Sequence, residues 1–218
     1  DGEEQVPGVV FGAGSGTAPA LYTNYGAALA GNGFAVLIAG QTRELEAGKP
    51  IRWETRRETS TLFEVAKDDY TNWVDYLRSH PRVDERRLVL AGHSGGANSA
   101  YRVAYERPDV DGVVAIAGRF PPERDEAFPT NLLLATGSAD SLVPPGTLRN
   151  VSTELLGTPL QSGEQVGRFT DGTAARLVVA EGETHLSETD SPELVRETTV
   201  WALRSVGESP PSSLGISV

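Results

Sequence analysis

The sequence contains no cysteine and no methionine, and only two of its 19 basic residues, Lys49 and Lys67, are lysines. The absence of cysteine excludes disulfide bonds, thiolate metal sites and cysteine nucleophiles. A translated chain begins with methionine, so the absence of even an initial methionine suggests a piece of a longer protein. Residues 1–4 are acidic and polar, which is unlike the start of a secretory signal peptide.

Long apolar runs are also missing. No stretch approaches the roughly 20 apolar residues that cross a bilayer. The length of 218 residues suits one domain, and 39% apolar with 22% charged residues is an ordinary globular composition. We therefore expect a single domain over residues 1–207 and a linker-like tail over residues 208–218, where Pro210 and Pro211 lie among serines. A membrane anchor or a further domain is possible beyond either end; compartment and oligomeric state stay open.

The charge is strongly one-sided, with a formal net charge of −11. Such a chain repels polyanions, which argues against nucleic acid as a partner. An acidic, lysine-poor surface is typical of adaptation to high salt. A GC-rich genome that favours arginine codons explains the lysine shortage equally well, and both interpretations remain open.

Short apolar runs rich in β-branched residues alternate with amphipathic stretches. This alternation predicts a mostly parallel sheet with helices on both faces, a three-layer α/β/α sandwich. Residues 41–59 lack clear periodicity and are interpreted as a loop or an irregular helix, and Thr59 or Ser60 can cap the helix that follows. The predicted strands cover residues 6–11, 34–39, 87–91, 110–117, 132–136 and 176–180, and the predicted helices cover residues 20–31, 59–79, 95–106 and 193–206.

One motif carries chemistry by itself, the segment Gly92-His93-Ser94-Gly95-Gly96. It matches G-x-S-x-G and lies between a predicted strand and a predicted helix. Such a turn, the nucleophile elbow, exposes the serine hydroxyl above the sheet, and small neighbours make the turn possible. Ser94 is therefore the predicted nucleophile.

A serine nucleophile needs a base, and the chain offers three histidines. His93 lies inside the elbow and is expected to point away from the pocket. His80 precedes Pro81 at a helix end, where a solvated capping role is expected. His185 follows the strand over residues 176–180 at the carboxyl edge of the sheet, where open α/β proteins build their sites. His185 is therefore the predicted base.

The third group should be a carboxylate that orients the imidazole. Asp140 follows the strand over residues 132–136 and completes the order Ser, Asp, His. Asp111, at the start of a strand, and Asp171, in a turn, are competing acids, but both are expected to be solvated. Asp140 is the predicted acid.

With these segments in this order, the chain resembles the α/β-hydrolase superfamily and is similar to its small dienelactone hydrolase and acyl-esterase branches. The resemblance covers residues 6–206; the hairpin strands that usually precede them are missing. It implies a serine hydrolase that cleaves a small carboxylic ester, thioester or lactone through an acyl-enzyme, with no cofactor and no catalytic metal. The short interval over residues 118–130 leaves no room for a large lid, so the lid is expected to be minimal.

The resemblance also implies an oxyanion hole, a pair of amides that bind the negative oxygen of the reaction intermediate. One donor is the amide of Gly95, directly after the nucleophile. The second, from the loop after the first strand, falls on Ala13. Phe11 stands where the family usually has histidine.

Two other classes of function compete with this interpretation. Gly12 and Gly14 lie between a strand and a helix, as in a nucleotide-binding oxidoreductase, but Thr17 occupies the place of the third glycine and no acid follows the next strand. A non-catalytic binding or structural module with the same fold is the second alternative. Arg52, Arg56 and Arg57 could attract an acidic substrate, but a solvated surface is the favoured explanation.

Overall fold

The computed structural model describes residues 4–40, 56–122 and 126–214; of residues 56–65 it describes the helical backbone only. Seven strands form one sheet, and five α-helices connect them in the described part of the chain. The strands are β1 Val6–Gly12, β2 Ala35–Ala39, β3 Val83–His93, β4 Gly112–Ile116, β5 Asn131–Gly137, β6 Gln165–Val166 and β7 Ala175–Ala180. The helices are α1 Thr23–Gly31, α2 Arg56–Arg78, α3 Gly95–Glu106, α4 Pro145–Leu156 and α5 Pro192–Ser205, and a 3₁₀ turn over Pro19–Tyr22 precedes α1.

The sheet has the strand order β2-β1-β3-β4-β5-β7-β6. All neighbouring strands are parallel except β6, which pairs antiparallel with β7. The predicted three-layer α/β sandwich is therefore confirmed. Because β1, β3, β4, β5 and β7 are parallel neighbours, their carboxyl ends meet at one edge of the sheet, where their following loops form a site.

The strand side chains alternate between two buried layers, as the period of two requires. In β1, Val10 joins the core under α2, α3 and α4, whereas Val9 and Phe11 join the core under α1 and α5. Strand β3 repeats the alternation: Leu88 and Leu90 face the first core and Val89 and Ala91 the second. Burial on both faces explains why these strands are continuous apolar runs.

Two predicted details were wrong. Helix α2 begins at Arg56, so Thr59 and Ser60 lie inside the helix and neither is its cap. The short edge strand β6 was not predicted, because two residues give no periodicity to detect. Of the stretch over residues 41–59 that was interpreted as a loop or an irregular helix, residues 41–55, including Arg52, lie outside the described residues.

Part of the predicted linker at the end of the chain packs against the domain. Glu208, in the predicted linker, donates its backbone amide to the carbonyl of Leu203 and forms an ion pair with Arg87 at 2.5 Å, and Leu214 packs against the core under α5.

Between β4 and β5, where a lid was expected to be minimal, the described residues form no helix and no strand. No described helix is both long and apolar enough to span a membrane.

Candidate active site

Ser94 occupies a strained turn at the carboxyl end of β3. Its φ is +51°, a value that is uncommon for any residue with a side chain, and it directly precedes the first turn of α3. Its amide donates to the carbonyl of Ile116 at 2.8 Å, which fixes the turn to β4. A Cβ on Gly92 would collide with the backbone of Gly96, so the chain can turn here only with glycine. The side chain of Ser94 remains partly exposed at the sheet edge.

His185 and Asp140 lie on neighbouring loops at the same edge and are hydrogen-bonded to each other. Nδ1 of His185 is 2.8 Å from Oδ2 of Asp140. The other oxygen, Oδ1, accepts the amides of Leu142 at 2.7 Å and Val143 at 2.9 Å. Although burial raises the pKa of Asp140, these amides and His185 outweigh that effect, and the pKa of Asp140 is lowered overall. Asp140 is therefore ionised and holds Nδ1 of His185, which leaves Nε2 as the free nitrogen of the ring.

The two loops are fixed to each other by backbone contacts. The amide of Ala139 donates to the carbonyl of Glu183 at 2.9 Å, and the amide of Gly182 donates to Oγ of Ser138 at 2.8 Å. A side chain on Gly137 would collide with Glu183, so the close approach depends on glycine at position 137. These contacts fix the position of the loop that carries Asp140 relative to the loop that carries His185.

The ring of His93 lies 4.7 Å from that of His185, centroid to centroid. His93, expected to point away from the pocket, is buried and lies directly beside the predicted base. Its Nε2 is 3.1 Å from Oε2 of Glu188, a fully buried carboxyl that sequence reasoning missed. Glu188 lies three residues after His185, in a 3₁₀ turn. This short distance in the sequence from the predicted base is the only sequence feature that points to Glu188.

Glu188 also contacts the acid loop. Its Oε1 accepts the amide of Gly137 at 2.5 Å and the hydroxyl of Thr136 at 3.1 Å, while its Oε2 is 3.9 Å from Nδ1 of His185. Burial, with a smaller contribution from the nearby charge of Asp140, raises the pKa of Glu188 to about 8. Burial likewise lowers the pKa of His93 to about 3, so both groups are neutral at pH 7.

The loop after β1 approaches the elbow through Ser15. A Cβ added to Gly95 would lie 3.1 Å from the Ser15 amide nitrogen and would collide with the Ser15 hydroxyl, so Ser15 packs directly against Gly95. The assignment of Ala13 as second oxyanion donor is wrong, because its amide donates to the carbonyl of Ala39 at 2.8 Å and extends the sheet. The amide of Gly14 is also engaged, donating to the Tyr22 hydroxyl at 3.0 Å.

The remaining candidates take other places. Asp111 is partly buried and accepts the amide of Leu88 at 2.8 Å, and burial raises its pKa, so it is a structural acid and not the solvated one expected. Asp171 is exposed in a short 3₁₀ turn. His80 is exposed, and its Nδ1 accepts the amide of Arg82 at 3.3 Å.

One described cluster has the composition of a metal site. His93, His185 and Glu188 offer ligand atoms that lie within 4.8 Å of one another. Both nitrogens of His93, Nδ1 of His185 and both oxygens of Glu188 already have hydrogen-bond partners in the protein or are shared between these residues. The geometry therefore favours a hydrogen-bond network over an ion.

The model of the dienelactone hydrolase family matches residues 2–160, nearly three quarters of the chain. The chain belongs to the dienelactone hydrolase family. Membership makes it a hydrolase of the α/β-hydrolase type and removes the nucleotide-binding oxidoreductase from consideration. The matched span includes Ser94 and Asp140, whereas His185 and Glu188 lie beyond it.

A solved structure from Klebsiella pneumoniae subsp. pneumoniae MGH 78578, described as a "putative dienelactone hydrolase", superposes with a TM-score of 0.61. The two chains are 16% identical, and the superposition covers 93% of this chain and 88% of the other. At this identity the likeness shows the shared α/β-hydrolase fold. No curated protein matches the chain.

Proposed function

We propose that this dienelactone hydrolase family member is a serine hydrolase that cleaves a carboxylic ester, or a lactone or thioester, through an acyl-enzyme. The observation that carries the proposal is the placement of the strained Ser94 turn, after β3, at the same sheet edge as the loops of the hydrogen-bonded His185–Asp140 pair, after β7 and β5. In a triad, an ionised acid on Nδ1 leaves Nε2 of the base free to take the serine proton.

The reaction follows from these roles. Ser94 attacks the carbonyl carbon while Nε2 of His185 accepts the hydroxyl proton, and Asp140 stabilises the imidazolium that forms. His185 then returns the proton to the leaving alcohol, and a water molecule repeats the sequence to release the acid. The negative oxygen of each intermediate is bound by the Gly95 amide at the start of α3. We assign the second donor to the amide of Ser15, the neighbour of Gly95.

Exposed leucines support an apolar group in the substrate. Leu142 and Leu186 are 58% and 69% exposed, and they lie two residues and one residue after Asp140 and His185. Leu21, 49% exposed, lies next to the loop that carries Ser15. A large apolar side chain in water is uninformative alone, but three around one site favour an apolar acyl or alcohol group over a charged one.

Intact-mass labelling with a fluorophosphonate tests the proposal. One adduct is expected on the wild-type protein and none on Ser94→Ala or His185→Ala, with His80→Ala as the matched histidine control that labels normally. The reaction should be run in low and in molar salt, because adaptation to high salt is one of the two open explanations of the acidic, lysine-poor composition. A folded wild-type protein that forms no adduct in either salt would contradict the proposal and support a non-catalytic binding module. Turnover of p-nitrophenyl esters of increasing chain length then measures the preference for apolar acyl groups.

A further inference from the structure

Behind the predicted base lies a row of polar groups that the reaction does not use. It starts at the Ser15 loop and runs through the protein interior. Nδ1 of His93 lies 2.9 Å from the hydroxyl of Tyr22, and that hydroxyl accepts the amide of Gly14. The Tyr22 oxygen is also 3.0 Å from Oγ of Thr17, whose hydroxyl donates to the Gly14 carbonyl at 2.7 Å. The row ends at Glu188, whose Oε2 faces Nε2 of His93.

The number of protons in this row decides its charge. Between Gly14 and Glu188 there are five hydrogen-bond contacts, and each needs one proton. The Gly14 amide, the Thr17 and Tyr22 hydroxyls and a neutral His93 supply four. An ionised Glu188 would leave one contact as two facing lone pairs inside the protein, which is costly. A protonated Glu188 supplies the fifth.

With the proton on Glu188, each contact in the row has one donor and one acceptor. Glu188 donates from Oε2 to Nε2 of His93, and His93 donates from Nδ1 to the Tyr22 oxygen. Tyr22 then donates to Thr17, and Thr17 donates to the Gly14 carbonyl. Oε1 of Glu188 stays an acceptor for the amide of Gly137.

We propose that Glu188, His93 and Tyr22 form a neutral, fully hydrogen-bonded chain that ties the Ser15 loop to the loop of Asp140, and that the proton on Glu188 keeps it complete. These three are positioning residues, since none is expected to touch the substrate. The inference rests on the proposed function for its catalytic meaning, because one end of the chain sets the second oxyanion donor and the other supports the acid–base pair.

Burial and the charge of Asp140 favour the neutral form of Glu188, and together they outweigh the Gly137 amide and the Thr136 hydroxyl, which favour the ionised form. Asp140 is ionised, and its charge opposes a second carboxylate nearby. The Tyr25 hydroxyl donates to the backbone carbonyl of Glu188 at 2.6 Å, so it does not compensate a charge on the carboxyl. The titratable groups around it come from α1 and its preceding turn, from the end of β3, and from the loops after β5 and β7: Tyr22, Tyr25, His93, Asp140 and His185.

The test is the tautomer of His93, measured from ring ¹⁵N chemical shifts and their couplings to ring protons at pH 7. The proposal expects a proton on Nδ1 and a bare Nε2. With only three histidines in the sequence, His80→Ala and His185→Ala spectra assign the His93 signals. A proton on Nε2 alone, or on both nitrogens, would overturn the proposal, because either state requires an ionised Glu188 or breaks the row at Tyr22.

Two glutamate variants test the catalytic consequence. Glu188→Gln keeps one acceptor for Gly137 and one donor for His93, so kcat/KM at pH 7 should stay within about threefold of wild type. Glu188→Ala breaks the chain, and kcat should fall about 10- to 100-fold with a smaller change in KM. Glu181→Gln, an exposed acid of the same loop, is the matched control for charge and should change neither.

The pH profile separates positioning from a merely structural role. Wild-type kcat/KM should decline as Glu188 loses its proton above pH 8, and Glu188→Gln should lack this decline. An equal decline in both proteins, or a loss of more than 100-fold in Glu188→Gln at pH 7, would contradict the proposal. The tautomer is measured without turnover, so a protein that fails to label with the fluorophosphonate can still show the chain intact, and the two proposals fail separately.

Discussion

Two histidine–carboxyl pairs lie side by side in this protein and differ in almost every property that matters for chemistry. The first, His185 with Asp140, is bonded through Nδ1 at 2.8 Å at the sheet edge, where the imidazole is 16% exposed. The second, His93 with Glu188, is bonded through Nε2 at 3.1 Å and is 1% and 0% exposed. The same two kinds of side chain thus occur twice, once with a partly exposed imidazole and once with both side chains buried.

The difference shows what sets the charge of a carboxyl group. Asp140 receives two backbone amides on one oxygen and the imidazole on the other, and its pKa is lowered. Glu188 is fully buried, receives one amide and one shared hydroxyl, and faces the charge of Asp140, and its pKa is raised to about 8. Both carboxyl groups are 0% exposed, so the number and kind of their hydrogen-bond donors, more than the residue type, separate their charges.

The largest expected effect comes from removing the charge of Asp140, which tests whether the first pair carries out the acid–base chemistry. Asp140→Asn should lower kcat by about 10⁴-fold, because a neutral amide no longer holds the proton on Nδ1 of His185 or stabilises the imidazolium. Steady-state kinetics on a p-nitrophenyl ester measures it, with Asp171→Asn as the exposed control. A loss below tenfold would mean that Asp140 is not the acid of the triad.

Removing the histidine of the second pair should lower the free energy of unfolding more than removing the histidine of the first pair does. His93→Ala leaves a cavity and strips Tyr22 and Glu188 of a buried partner, which should lower the free energy of unfolding by about 2–4 kcal/mol. His185→Ala, at the rim, should lower it by less than about 1 kcal/mol. Urea titrations of both variants provide the measurement, and equal losses in the two would remove the distinction between them.

The sequence was sufficient for the first pair and not for the second. Ser94, Asp140 and His185 each follow a strand that is recognisable from its apolar run, and parallel topology brings the ends of such strands to one edge. Glu188 lies farther along the same loop as His185, but it belongs to no motif that marks it. Its burial depends on a 3₁₀ turn and on partners 51 and 95 residues away in the sequence, which no local pattern records.

The prediction of the second oxyanion donor was wrong for a related reason. The assignment of Ala13 rests on counting residues along a family motif, and this count assumes that strand β1 ends where the motif places its end. In the structure the pairing of β1 with β2 continues through the Ala13 amide, so the loop begins later and Ser15 reaches Gly95. Strand ends are set by hydrogen bonds to neighbours far along the chain, and this limits how well a loop can be predicted.

A smaller effect than that of His93→Ala is the most specific to the second pair, and it concerns how the free energy of unfolding changes with pH. Because folding raises the pKa of Glu188 from an ordinary 4.5 to about 8, the folded state holds a proton there that the unfolded state has lost at pH 6 to 7. Stability from this group is therefore complete below pH 4.5 and is lost as the pH rises towards 8. Relative to Glu188→Gln, which cannot titrate, wild type should lose about 1.4 kcal/mol of unfolding free energy between pH 6 and pH 7. Asp140 and His93 have lowered pKa values and act in the opposite direction, at acidic pH, and both are present in the two proteins, so their effects largely cancel in the difference. Urea titrations at pH 5, 6, 7 and 8 measure the difference directly. A difference that does not change with pH would mean that Glu188 is already ionised in the folded protein, and the two histidine–carboxyl pairs would then carry the same charge.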